Sequence, residues 1–187
     1  MIRTVLLPLF FAAALFFSPF AHAADDTELQ KINSLYEHTQ YAAALDRIDA
    51  YLAKKPDSAP ARFLKGLILT GQHKDALAID VFTALNEDFP ELPEPYNNLA
   101  VLYAAQGHYR KARKALETAV HINPDYAVAE ENLGDIYAKM AGIAYTKAIK
   151  LDSKNTTAPA KLSLITQIFV PHPAPVMEDK LNPKPAK

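Results

Sequence analysis

The 187-residue sequence predicts an all-α fold of stacked helical hairpins, and its internal period carries that prediction. Prolines recur at a constant interval, at Pro56, Pro90 and Pro124. Four further columns keep the same interval: Gly66, Ala100 and Gly134; Leu69, Tyr103 and Tyr137; Ala44, Ala78 and Ala112; and Ile48, Phe82 and Leu116. A fixed period of this length, about 34 residues, is typical of helix-pair repeats. Because one hairpin cannot bury its apolar face alone, neighbouring units are expected to stack.

Residues 93–124 show how one unit is built. Apolar residues lie on one face of each of two helices, at i, i+3, i+4 and i+7 in the first. The first helix contributes Tyr96, Leu99, Ala100 and Tyr103, and the second contributes Ala112, Leu116 and Ala119. Between them Gly107 suits a turn that requires positive φ. Pro124 cannot continue a helix interior, so it marks the exit from the unit.

These residues resemble the tetratricopeptide repeat (TPR) family, whose unit has the same length. The resemblance covers residues 25 to 152 and implies a right-handed superhelical solenoid, with repeats at about 25–58, 59–92, 93–126 and 127–152. The second unit is looser, because Gly71 comes two residues before the expected turn position. The matching positions are Tyr96, Leu99, Ala100, Tyr103, Gly107, Tyr109, Ala112, Leu116, Ala119 and Pro124, followed in the next unit by Leu133, Gly134 and Tyr137.

The fourth unit lacks the residues that would form its turn. Tyr103 and Ala112 are nine residues apart, whereas Tyr137 and Ala141, in the corresponding places, are only four apart. The remaining apolar residues form one uninterrupted helical stripe, at Leu133, Tyr137, Met140, Ala144, Ala148 and Leu151. The spacing therefore predicts a single helix from Val128 to about Leu151. The alternative is a tight bend around Gly142.

The two ends of the sequence differ from the repeats. Residues 1–23 have one cation, an apolar run from Val5 to Phe17 and a small-residue cleavage pattern ending at Ala23. This layout is typical of a Sec-type secretory signal peptide, and the run is too short to span a membrane. It predicts a periplasmic or secreted protein; an uncleaved membrane anchor is the alternative. At the other end, the pattern predicts a capping helix within 153–170, starting near Thr157, and a proline-rich mobile tail at 171–187.

Composition and motifs argue against several classes of function. The formal net charge is −1 and there is no cysteine, so neither a basic surface for nucleic acid nor thiol chemistry is expected. The sequence has no phosphate-binding glycine loop, nucleophile elbow or H-E-x-x-H motif. His38, His73 and His108 are predicted to be exposed turn residues rather than metal ligands. We therefore expect no catalytic residue, cofactor or metal site.

The resemblance to TPR proteins implies that the first helix of each repeat lines an inner groove. Asn98 and Asn132 stand one repeat apart, each directly before the leucine of its unit. A carboxamide can donate to and accept from a peptide backbone at once, so both are candidates to bind an extended peptide; ordinary exposed asparagines are the alternative. The same helical phase places in the groove Asn97, Phe63, Leu67, Val101, Glu131 and Asp135.

The residues at the inner positions of the predicted groove indicate which kind of peptide it would bind. Some TPR proteins clamp a C-terminal carboxylate with Lys and Arg at the inner positions. Here Leu29, Glu94 and Asn98 stand at those places, and only Asn33 fits. A neutral or basic segment with apolar side chains is therefore the expected ligand.

Three non-enzymatic functions follow as hypotheses; an enzyme is the remaining alternative, and it would require a deep polar pocket, which a thin solenoid rarely forms. The first is a scaffold or adaptor of the cell envelope that binds an extended segment of another protein. The second is a structural homodimer or larger homo-oligomer, paired through apolar residues of the fourth unit near Ile143, Tyr145 and Ile149. The third rests on similarity in architecture and compartment to periplasmic TPR modules that assist cytochrome maturation. It implies an accessory factor of an exported-protein maturation system.

Overall fold

A computed structural model describes residues 20–169, with side chains from residue 27 onward. The described part contains eight helices and no strand, so the all-α prediction is confirmed. The predicted signal segment, up to residue 19, and the predicted tail lie outside it. The helices are α1 Phe20–Glu37, α2 Tyr41–Leu52, α3 Ala59–Gly71, α4 Asp75–Asp88, α5 Pro93–Ala105, α6 Tyr109–Ile122, α7 Ala127–Leu151 and α8 Thr157–Ile168.

Three turns, between α1 and α2, α3 and α4, and α5 and α6, share one backbone conformation. Each has a single residue in the left-handed region: Thr39 at φ 58°, His73 at φ 56° and Gly107 at φ 74°. In the last turn the Gly107 N–H donates to the Ala104 carbonyl at 2.9 Å, and the next N–H donates to the Tyr103 carbonyl at 2.8 Å. The other two turns repeat both bonds. This Schellman arrangement satisfies carbonyls that the helix end would otherwise leave unpaired.

The turn between α3 and α4 has the same conformation at the same repeat position, although no glycine stands at that position. His73, one repeat period before Gly107, takes the left-handed position. Gly71 has another role, since it ends α3 and a Cβ built on it would lie 2.6 Å from Cε1 of Tyr41. Gly71 therefore makes room for an aromatic ring, which is why it comes two residues before the turn.

The described residues divide into two compact units, with the boundary between Ala78 and Ile79, inside α4. We call these the first unit and the second unit, whereas the third and fourth units are the sequence repeats 93–126 and 127–152. In the first unit α2 packs against both α1 and α3. The Arg47 guanidinium joins α2 to α1 through two hydrogen bonds to the Glu28 carboxylate, at 2.8 and 2.9 Å. The core of this unit consists of Ile32, Ala44, Ile48, Ala61, Leu64 and Ile68.

In the second unit α6 packs against α5 and α7, and α8 packs against α7. The small residues of the repeat, Ala100 and Ala112, are buried where the helices approach each other. The repeat period therefore places small residues where two helices pack closely. The buried core consists of Ala100, Ala112, Leu116, Ala119, Ala129, Leu133 and Ile136, with Tyr96, Tyr103 and Tyr109 packed against it.

The fourth unit is one continuous helix, α7, of 25 residues. The prediction of a single helix is confirmed, and the alternative of a bend at Gly142 is wrong. The reason is local: without the missing turn residues, nothing between Tyr137 and Leu151 interrupts the i to i−4 hydrogen bonds. Helix α8 covers part of its second half, and a Cβ on Gly142 would lie 3.7 Å from Cδ1 of Leu162.

Candidate functional site

The second unit has a groove of about 280 Å³ between α5, α6, α7 and the end of α8. Three residues predicted to line a binding groove lie in it, namely Val101, Asn132 and Asp135. The other lining residues are Ala100, Ala104, Tyr109, Leu116, Ile136, Lys139 and Phe169. The walls are therefore mainly apolar, with an amide, a carboxylate and an ammonium group placed along α7.

Two asparagines connect α5 to α7 at this groove. The Asn132 Nδ2 donates a hydrogen bond of 2.8 Å to Oδ1 of Asn97, whose exposed fraction is only 7%. A largely buried acceptor holds the Asn132 amide in one orientation. The bond uses one N–H of that amide, so its carbonyl oxygen and second N–H stay available to a ligand.

Asn98 makes its hydrogen bond within its own helix. Its Nδ2 donates to the backbone carbonyl of Glu94, at 2.8 Å. Among the described residues, those lining the groove of the second unit do not include Asn98. Neighbouring helix residues point about 100° apart, so Asn97 contacts α7 and Asn98 turns away from it. Asn132 therefore pairs with Asn97 in this groove, and the binding role of Asn98 stays a prediction.

The remaining predicted residues are not brought to this groove. Glu131 is exposed on α7 and is not among the described residues that line the groove. Phe63 and Leu67 are half-buried residues of α3, in the first unit. The groove as a site therefore rests on the second unit alone.

A cation–π contact closes one end of the groove, and the sequence did not reveal it. The Lys139 ammonium lies 3.6 Å from the centroid of the Phe169 ring, at a distance where the two groups attract. The direction of the Phe169 ring depends on the backbone after α8 ends, which helical periodicity does not specify. Asp135 is one helical turn before Lys139, so opposite charges stand side by side along α7.

Two tyrosines of the second unit have raised pKa values. Burial, and then the Glu94 carboxylate, raise the pKa of Tyr126 above its usual value. The Tyr137 hydroxyl donates to Oε1 of Glu117 at 3.1 Å, and this bond raises the pKa of Tyr137. Neither tyrosine is among the described residues lining the groove. In the part of the chain that the structure describes, no three His, Cys, Asp or Glu side chains are grouped to hold a metal ion.

His38, His73 and His108 are exposed, as predicted. Between residues 20 and 169, no helix combines the length and apolar character needed to cross a membrane.

Comparison with known proteins identifies the repeat. One tetratricopeptide repeat model matches residues 29–93, and a second matches residues 93–126. The chain belongs to the tetratricopeptide repeat family. Both matches end before α7, the unit that has lost its turn.

Related proteins agree with this assignment. The uncharacterized protein ycf37 of Pyropia yezoensis is 35% identical over 77 residues, covering 38% of this chain and 43% of ycf37. The chain thus matches less than half of that relative. YrrB, a TPR protein with an unusual peptide-binding site, has a TM-score of 0.54 at 25% identity over 57% of this chain and 55% of YrrB. The first TPR of Spaghetti (RPAP3), bound to an HSP90 peptide, has a TM-score of 0.58 at 16% identity over 63% of this chain and 93% of that one.

These comparisons indicate a broad class of function. TPR proteins are generally non-catalytic scaffolds, and some bind peptides, so family membership indicates interaction with other proteins. The groove geometry narrows that statement to a specific proposal.

Proposed function

We propose that this protein is an adaptor that binds an extended, neutral or basic segment of a partner in the groove of its second unit. The observation that carries the proposal is the Asn97–Asn132 pair, which presents an oriented amide beside an apolar wall. The likeness to YrrB, itself a TPR protein with a peptide-binding site, supports the same kind of ligand.

Each part of the groove would make a different contact with the peptide. The Asn132 amide would donate to one peptide carbonyl and accept from one peptide N–H, which requires no particular side chain on the ligand. Val101, whose exposed fraction is 48%, stands with Ala104 and Ile136 where an apolar side chain of the peptide would pack. The exposed Asp135 carboxylate favours a ligand without negative charge nearby.

The proposal includes export from the cytoplasm, on the basis of the signal-like residues 1–23. The partner would then be another exported protein, as expected for an envelope adaptor or an accessory factor in exported-protein maturation. The test is the N-terminal residue of the protein recovered from the periplasm or medium. A mature chain starting at Ala24 would support export, and a chain retained in the cytoplasm with its first residue intact would contradict it.

The groove can be tested with peptides selected from a displayed random library on the purified protein. Fluorescence anisotropy then compares Asn132→Ala with Asn98→Ala, because both remove an asparagine amide from a half-exposed helix position. The Asn132 amide would make two hydrogen bonds to the peptide, each worth about 1 kcal/mol, so Asn132→Ala is expected to weaken binding about thirtyfold. Asn97→Ala should weaken it similarly, since the Asn132 amide loses the acceptor that orients it.

Asn98→Ala is the matched control, and it should bind the selected peptides like the unsubstituted protein. Circular dichroism of each variant checks that the helices are intact. Equal binding by Asn132→Ala and Asn98→Ala would contradict the proposed groove, as would peptides whose binding is unaffected by Val101→Asp.

A further inference from the structure

A second opening lies beside the groove in the second unit, where the α5–α6 turn faces the middle of α7, and Tyr109 lines both openings. It has a volume of about 370 Å³ and is lined by residues 107–111, from the turn and the start of α6, on one side, with Met140 and Ile143 on the other. The opening exists because α7 continues straight where a regular repeat would turn. It is therefore a direct result of the missing turn residues.

This opening continues along α7. A neighbouring cavity of about 440 Å³ shares Ile143 and is lined also by Lys139, Gly142, Thr146, Lys147, Lys150 and Leu162. Met140, Ile143, Lys147 and Lys150 follow one face of the helix, because they are spaced by three or four residues. We call the combined surface of the two cavities the basic notch.

The charged residues that line the basic notch are all cationic. Its lining includes Arg110 and Lys111 from the first turn of α6, and Lys147 and Lys150 from α7, all of them exposed. None of the described residues lining the two cavities is acidic. This is a local concentration of cations, since the whole chain has a formal net charge of −1.

The nearest acidic residue on the same face of α6 is already engaged. Glu117 follows Arg110 and Arg113 on that face, accepts a hydrogen bond from Tyr137 and lies 3.5 Å from Nε of Arg113. Its charge is therefore offset by Arg113 and does not neutralise the lysines further along α7.

The floor of the basic notch is apolar. Ile143 has an exposed fraction of 55% and stands between Met140 and Leu162, which also line the cavities. A large aliphatic side chain ringed by cations matches a ligand with one apolar group flanked by carboxylates. We propose that the basic notch binds an acidic segment of a partner protein that carries a protruding apolar side chain.

Two other occupants fit the geometry less well. A second copy of this chain would bring one cationic surface against another, and like charges across an interface oppose association. A flat anionic membrane would reach the exposed lysines, but Ile143 is the one large exposed aliphatic side chain among the described residues lining the two cavities. Binding at a membrane surface scales with the apolar area that enters the bilayer, and a single isoleucine supplies little of it.

The test uses peptides selected from a displayed random library on the purified protein and measured by fluorescence anisotropy. The selected set is expected to include peptides rich in Asp and Glu around one large apolar residue. The double variant Lys147→Glu/Lys150→Glu should weaken their binding about tenfold or more, with binding also falling as salt increases. Ile143→Ser should weaken it without changing the salt dependence.

Two controls separate this site from charge alone and from the groove. Lys31→Glu/Lys54→Glu changes the net charge equally at exposed positions of the first unit, and it should bind like the unsubstituted protein. Asn132→Ala, which disables the groove, should also leave acidic-peptide binding intact.

Three results would overturn the proposal. The first is that no acidic peptides are selected, or that both double variants weaken their binding equally. The second is that anionic phospholipid vesicles bind through Lys147 and Lys150 while acidic peptides do not. The third is a dimer in light scattering over a dilution series that Ile143→Ser abolishes, which would assign the surface to a second copy.

Discussion

The third and fourth units share a repeat pattern but end in different structures. In the third, Gly107 adopts φ 74° and the chain reverses into α6. In the fourth, the residue corresponding to Gly107 is missing, because Tyr137 and Ala141 are four residues apart where Tyr103 and Ala112 are nine apart, and α7 is uninterrupted. The comparison shows that the turn residues, rather than the apolar stripes, decide whether two helical segments form a hairpin or one rod.

The same comparison explains how the repeat columns differ in burial. Ala100 is buried, while its counterpart Gly134 is exposed, and a Cβ built there would meet nothing within 4 Å. Tyr103 is half-buried, while Tyr137 has an exposed fraction of 47%. Without a turn, α7 has no second helix of its own unit folded against it, so its repeat positions lose their packing.

Restoring the turn is expected to have the largest effect. Inserting Ala-Gln-Gly-His-Tyr, copied from 105–109, between Ala138 and Lys139 should convert α7 into a hairpin. Spin labels at Asp135 and Lys147 are about 18 Å apart along a continuous helix, from a rise of about 1.5 Å per residue. In a hairpin the helix axes are about 10 Å apart, so the distance measured by pulsed electron paramagnetic resonance should shorten. An unchanged distance would show that packing, and not the turn residues, keeps α7 straight.

Leucine-to-alanine substitutions in the third and fourth repeats should give the next largest difference, measured as the free energy of unfolding. Leu116 is buried in the core of the second unit, so Leu116→Ala should lower the free energy of unfolding by about 2–5 kcal/mol. Leu151, at the end of α7, has an exposed fraction of 77%. Leu151→Ala should therefore change the free energy of unfolding by less than about 0.5 kcal/mol. Urea unfolding measures both. Equal losses would mean that the end of α7 is buried in solution.

Two glycines should respond with opposite signs to the same substitution. Gly107→Ala places a Cβ in the left-handed region and should destabilise the fold by about 1 kcal/mol. Gly142→Ala removes a flexible residue from a helix interior, and its Cβ would make ordinary contacts of 3.7 and 3.8 Å with Leu162 and Ile165. It should stabilise the fold by about 0.5–1 kcal/mol. Thermal unfolding checks the signs, and destabilisation by Gly142→Ala would contradict the straight helix.

The smallest effect concerns the hydroxyl that links α7 to α6. The hydrogen bond to Glu117 raises the pKa of Tyr137 above 10.0, so Glu117→Gln should lower that pKa toward its usual value. Because the folded pKa is the higher one, the bond stabilises the fold below pH 10 and its contribution is lost as the pH rises further. Ultraviolet titration with Tyr137→Phe as reference identifies the transition. No change in the titration of Glu117→Gln would contradict the bond.

Much of the fold could be predicted from the sequence because it depends on spacing. The constant repeat period located the helix pairs, and the shortened interval between Tyr137 and Ala141 predicted the straight α7. The left-handed residues Thr39 and His73 were missed, because neither is glycine, the residue type that most strongly indicates positive φ. Counting one period back from Gly107, and another from His73, would have found both.

The candidate site was predictable only in part. Helical phase placed Val101, Asn132 and Asp135 on one surface, and they line the groove. The Asn97–Asn132 bond and the Lys139–Phe169 contact were missed, since each depends on how two helices or a helix end approach each other. Such contacts are set by packing, which a single sequence does not specify.

The straight α7 is also packed unevenly along its length. Its buried residues, Ala129, Leu133 and Ile136, all lie in the first half, and the second half is only partly covered. Amide hydrogens of one helix would then exchange at different rates, slowly near Leu133 and faster toward Leu151, because the loose end can unwind alone. A ligand bound around Ile143 would slow amide exchange in the second half of α7. Exchange in that segment would therefore show whether the basic notch is occupied.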